Sequence, residues 1–208
     1  MADPSQKNAF SGGTQQFTDS AVDVSTGVTY GVTSTPVATN TQACADPSKT
    51  DTTYTDGITI KNKCNKNPHV LQFVYREKFG EDGKPLTGSI TTTGGTYNLT
   101  TDPSKPNWNT DSASSPNPYY EGAGAHRSDA DSLTTFDQPN VTPAAKQTSR
   151  ATFKAFVICD GKVVREVDWV REQKSGSAPT YTVNVSKADK LPDWANDQLK
   201  NQGYNSAP

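Results

Sequence analysis

The densest run of reactive side chains lies in residues 121–137, EGAGAHRSDADSLTTFD. His126, Arg127, Asp129 and Asp131 are close neighbours there, and Gly122 and Gly124 precede them. Glycines lack a Cβ, so backbone at those points can approach a ligand closely. A histidine beside carboxylates can act as a general base, and an arginine can stabilise a developing anion. The three residues His126, Arg127 and Asp129 therefore outline a hydrolase-like site. The competing reading is a polar loop tied down by its own hydrogen bonds. No serine of the chain sits in G-x-S-x-G, so no nucleophile is marked by spacing.

The same run tests for metal binding. Asp129-Ala130-Asp131 starts like a calcium loop, but Leu133 occupies the next ligand position and no glycine follows it. Asp129, Asp131 and Asp137 remain as carboxylates that could hold a cation in some other geometry. No cofactor motif is present, and the expectation is a chain without a cofactor.

A second constellation suits recognition better than catalysis. Trp108, Tyr119 and Tyr120 are interleaved with Asn107, Asn109, Asn117 and Asp111. Aromatic rings with nearby amides and carboxylates suit a sugar or a peptide, through stacking and hydrogen bonding. Trp108, Tyr119, Tyr120, Asn109 and Asp111 are the expected binding residues. Alternatively the rings are anchors that pin a long loop. A third pair, Glu166 and Asp168, could line an acidic groove.

These residues need a scaffold, and the plainest piece of it is ATFKAFVICDGKVVREVDWVR, residues 151–171. Asp160-Gly161 between two β-branched and aromatic runs predicts a hairpin with a type I′ turn. Unbroken pairing from that turn sets Ile158 opposite Val163, Val157 opposite Val164 and Thr152 opposite Trp169. Glu166 and Asp168 then share a face with Phe153, Ala155 and Val157. Lys154, Arg165 and Arg171 fall on the other face, with Phe156, Ile158 and Trp169. Both faces are apolar near the turn, which predicts a central hairpin covered on both sides there.

Elsewhere HVLQFVYREKF, residues 69–79, reads as a one-sided strand with Leu71, Phe73, Tyr75 and Phe79 inward and Gln72, Arg76 and Lys78 outward. Short strands are expected around residues 21–39 and 58–60, and a hairpin around Gly94-Gly95. PTYTVNVS is expected as the last strand. LPDWANDQLKNQGY predicts a short helix, with Pro192 in its first turn, Gly203 just past its end, and Trp194 and Leu199 docked on the sheet. Residues 1–20 are expected to be a disordered or loosely docked tail. Residues 21–208 are expected to form one β-rich domain with a long irregular excursion at 102–149. The predicted fold is mainly β, an antiparallel sandwich or rolled sheet of about six to eight strands with a short C-terminal helix.

Composition narrows function. Of the 208 residues only 31% are hydrophobic, and the net charge is −2. No basic stripe exists, which argues against a nucleic-acid partner and against polybasic membrane attachment. No apolar run is long enough to span a bilayer, so no membrane insertion is expected. The start, MADPSQKNAFSGGTQQ, lacks a signal pattern. It fits a cytosolic protein, export by another route or a removed signal; a secreted or surface-exposed setting is the expectation adopted. A Cys44–Cys64 bridge would close a loop of about 20 residues, worth about 3 kcal/mol; three free thiols are the alternative. The preferred reading is a non-enzymatic binding or structural module that presents its aromatic, Asn/Asp-rich loop to a protein or glycan. The hydrolase-like site is the first alternative, and a secretion-system or virion component the second.

Overall fold

The structure, a computed structural model, describes residues 6–10, 14–29, 55–66, 68–92, 95–108, 132–136, 143–177 and 179–201. In chain order the strands are β1 (Gln6–Phe10), β2 (Thr14–Thr18), β3 (Val22–Thr29), β4 (Thr55–Asn62), β5 (His69–Phe79), β6 (Ser89–Thr92), β7 (Gly95–Asn98), β8 (Ser132–Phe136), β9 (Thr148–Cys159), β10 (Lys162–Lys174) and β11 (Thr180–Lys187). One helix, α1 (Asp193–Asn201), follows. Every pairing is antiparallel. A five-stranded sheet has the order β1-β11-β10-β9-β5, a four-stranded sheet the order β2-β3-β4-β8, and β6-β7 is a separate hairpin. The expected class is correct. The strands outnumber the expected six to eight because polar segments such as QKNAF and TQQFT also pair. Residues 1–20, expected as a tail, thus contribute β1 to one sheet and β2 to the other. The excursion at 102–149 is likewise interrupted by β8.

The two sheets bury one core between them. Val22 and Val24 of β3 and Ile58 and Ile60 of β4 pack with Val70 and Val74 of β5, Phe153 and Val157 of β9, Val167 and Trp169 of β10, and Tyr181 and Val183 of β11. Each such side chain contributes about 1.5–3 kcal/mol when removed from water. Phe153 and Trp169 lie 4.7 Å apart at their ring centres. The opposite face of the five-stranded sheet buries a second cluster, with Leu71, Phe73, Phe156 and Ile158 under Ala195 and Leu199 of α1. The central hairpin is therefore covered on both sides near its turn, as its two half-apolar faces predict. Asp160 and Gly161 have φ of 51° and 75°, the left-handed pair that a type I′ turn needs.

Beyond the turn the register departs from expectation. Ile158 faces Val163, but Val157 faces Arg165 and Phe153 faces Trp169, because a bulge intervenes between Val163 and Arg165. A bulge adds one residue to one strand and moves everything after it to the other face. Val167 and Trp169 therefore join Phe153 in the inter-sheet core, while Glu166 and Asp168 move to the side of Lys154 and Phe156. The expected separation of acids from bases does not occur.

The bulge also aims Arg165 at the other sheet. Its Nε donates to Asp19 Oδ2 at 2.6 Å, and Asp19 Oδ1 accepts the amides of Ala21 and Val22. Although burial works against its charge, hydrogen bonds from Arg165 and these amides hold the Asp19 carboxyl below the usual range. β5 is not one-sided. Gln72 and Arg76 are buried on the inner face with Val70 and Val74. The Arg76 guanidinium lies 5.8 Å from the centre of the Phe153 ring.

Cys64 pairs with Cys159, 95 residues away, which overturns the expected Cys44–Cys64 bridge; Cys44 lies outside the described residues. The cause is the path from β4 to β5, which runs beneath the hairpin tip. Asn62 Nδ2 donates to the carbonyls of Ile158 and His69 at 2.8 and 3.1 Å, and Asp160 N donates to Lys66 O at 2.9 Å. In the chain-entropy model a loop of this size makes the bridge worth about 4.7 kcal/mol.

Candidate binding face

The outer face of the five-stranded sheet, opposite the four-stranded sheet, gathers the described residues of interest. Three cross-strand rows run from β5 to β11: Leu71, Phe156, Glu166, Ser186; Phe73, Lys154, Asp168, Asn184; and Tyr75, Thr152, Val170, Thr182. The rows are mainly apolar on the β5 side and polar on the β11 side. α1 covers the apolar half. Its first turn carries Asp193, which suits the positive end of the helix dipole, and Lys200 stands in the last turn.

Trp108 completes this cover. Its ring stacks on Trp194 of α1, with centres 4.1 Å apart and an 8° angle, and meets Tyr75 edge-on at 4.7 Å. Trp194 in turn stands edge-on to Phe73 at 5.2 Å. Such aromatic pairs contribute about 0.5–1.5 kcal/mol beyond their buried area. The approach to Trp108 is also fixed. Asn107 Nδ2 donates to Leu99 O and Asn107 N to Thr100 Oγ1, while Thr100 N donates to Arg76 O on β5. The root of the long excursion is thereby tied to the edge and outer face of β5.

Beside the aromatic ledge lies a carboxyl pair. Asp168 Oδ1 is 3.6 Å from Lys154 Nζ, an ion pair too long for a hydrogen bond. That oxygen is buried, with no hydrogen-bond partner among the described residues. Burial pushes the Asp168 carboxyl up to about 6; Lys154 opposes the shift, and the charge of Glu166 reinforces it. Asp168 can thus retain a proton up to about pH 6. Further along the same face Arg150 bonds both oxygens of Glu77 at 3.0 and 3.2 Å and lies 3.6 Å from Glu172. That fork is a structural ion pair, with the guanidinium also 4.7 Å over the Phe79 ring.

Of the expected binding residues, Trp108 lies in this face, half-buried and engaged with other rings. Asn109, Asp111, Tyr119 and Tyr120 lie outside the described residues, as do His126, Arg127, Asp129, Asp131 and Asp137. Among the described residues no group of three or more His, Cys, Asp or Glu could hold a metal ion, and no helix is long and apolar enough to cross a membrane. Open clefts lie elsewhere among the described residues. One of about 450 Å³ is lined by Phe79, Glu81, Lys146, Thr148 and Lys174. Another of about 510 Å³ adjoins the bulge at Val163, Val164 and Arg165. Sequence reasoning passed over Tyr75 and Lys154 as parts of a site. Tyr75 belongs to the apolar stripe of residues 69–79, and Lys154 joins Asp168 only through the bulge. No family model, no curated protein and no solved structure matches this chain.

Proposed function

We propose that this protein is a non-enzymatic binding module, and that the segment beyond Trp108 presents Tyr119, Tyr120, Asn109 and Asp111 to a protein or glycan partner. The observation that carries the reading is the Trp108–Trp194–Tyr75 stack. It fixes the root of the excursion to a rigid sheet, so a recognition segment starts from a defined point. Rigid aromatic anchoring at the base lowers the entropy lost when a loop binds. The polar half of the outer face, where Lys154, Asp168 and Thr182 are half-buried in adjacent rows, offers further hydrogen-bonding surface. The Cys64–Cys159 bridge supports a secreted or surface-exposed setting, since such bridges persist in oxidising compartments.

The test is a paired screen on glycan and peptide arrays, with the wild-type chain and a Tyr119→Ala/Tyr120→Ala variant. The reading expects a ligand bound by the wild type and lost by the variant, with a melting temperature within about 2 °C of wild type, as for surface substitutions. Binding that survives both substitutions rejects this segment as the recognition surface.

A further inference from the structure

We propose that the edge of β11 also seats β1 of a second copy of this chain, so that the protein associates by exchanging its first strand. The inference does not depend on the binding reading. β11 is a core strand, and its Tyr181, Val183 and Val185 are buried between the sheets. Among the described strands its far edge is closed by β1, antiparallel, with Gln6 opposite Val185 and Phe10 opposite Tyr181. A bare edge there would be a row of amides and carbonyls ready to pair with another strand. β1 in turn stands at the margin of its sheet, with β11 as its neighbour.

The connectivity makes this strand transferable. β2, the next strand, belongs to the four-stranded sheet, so β1 reaches the other described strands only through residues 11–13, Ser-Gly-Gly. Glycine accepts backbone angles closed to other residues, so this link can redirect the strand without strain. Lifting β1 breaks one ladder of five residue pairs and leaves the pairing among β5, β9, β10 and β11 intact. Every copy carries the same QKNAF, and a neighbour's strand restores the same five pairs. Exchange of an identical element is a low-cost route to association; reciprocal exchange closes a dimer, and one-way exchange extends a chain. The covalently attached strand competes at an effective concentration on the order of 1 mM. Exchange should therefore rise as the protein concentration approaches that range.

The experiment uses full chains carrying Cys44→Ser, so that a third thiol does not compete. One variant adds Ala9→Cys and another Thr182→Cys, because these positions are opposite in the β1–β11 ladder. A single chain bearing both should close the link internally, since opposed Cα atoms fall within disulfide reach. The two single variants are mixed at about 0.01, 0.1 and 1 mM, a range that brackets the competing effective concentration. After incubation they are oxidised mildly and mapped by non-reducing peptide mass spectrometry. The expected product is an intermolecular link between positions 9 and 182, several-fold above its random proportion to the 9–9 and 182–182 links. Its yield should rise with concentration. A mixed link at the random proportion at every concentration would overturn the proposal. So would a doubly substituted chain that fails to close internally, because β1 would then not occupy that edge.

Discussion

Replacing Asp168 by asparagine should stabilise this protein at neutral pH, although it removes one half of an ion pair. Asp168 sits on the outer sheet face with 23% of its side chain exposed, 3.6 Å from Lys154 and flanked by Glu166. Burial raises its carboxyl from 3.8 in the reference state to about 6. The folded state therefore holds a proton that the unfolded state releases, and stability falls as pH rises from about 4 to about 6. Above that window the loss is constant. Each tenfold change is about 1.4 kcal/mol, so the limit is about 3 kcal/mol. Residual exposure and the lost Lys154 attraction, about 0–1 kcal/mol, reduce the expected net gain to about 1–2 kcal/mol. The assay is urea unfolding of wild type and Asp168→Asn at pH 4, 5, 6 and 7.5. The variant should match wild type or fall slightly below it at pH 4, overtake it through the window and lead by about 1–2 kcal/mol at pH 7.5. A variant that is less stable at pH 7.5, with a difference independent of pH, would refute the argument that burial dominates this site.

Other substitutions probe the devices that join the layers. Arg165→Met leaves Asp19 without its cation between the sheets and should cost about 3 kcal/mol in chemical unfolding. Because Asp19 is held below the usual carboxylate range, the clamp's contribution should persist above about pH 4 and disappear as the pH falls below it. Asn62→Ala removes donors to two buried carbonyls and should cost about 2–3 kcal/mol, measured in the same way. Trp194→Ala should cost about 3–5 kcal/mol and speed amide exchange in Asp193–Asn201, because the ring contacts Phe73, Phe156 and Trp108.

Local chemistry made part of this architecture readable. Asp160-Gly161 needs two positive φ angles, and few residue pairs accept them, so the turn announced itself. Pro192, Asp193 and the spacing of Trp194, Ala195 and Leu199 did the same for α1. The bulge after Val163 did not, because it carries no glycine or proline and the β-branched Val164 fits either face. That single extra residue reversed the faces of Glu166, Asp168, Val167 and Trp169. Gln72 and Arg76 look solvent-facing by type, but both are buried on the inner face alongside Val70 and Val74, with the Arg76 guanidinium near the Phe153 ring. The disulfide was hidden for a different reason. Cys64 and Cys44 are close in sequence, while Cys64 and Cys159 meet only through tertiary pairing of the β4–β5 crossing with the hairpin tip.

The proposed roles of Trp108, as the root of a recognition segment, and of Tyr120, as a contact within it, separate in one measurement. Melting temperature and affinity for the array-identified ligand are to be determined on the same preparations of Trp108→Ala and Tyr120→Ala. Trp108→Ala should lower the melting temperature by roughly 5–10 °C, as for loss of a packed aromatic ring, and Tyr120→Ala should leave it unchanged while losing binding. An unchanged melting temperature for Trp108→Ala, or a Tyr120→Ala variant that unfolds early while still binding when folded, contradicts these roles.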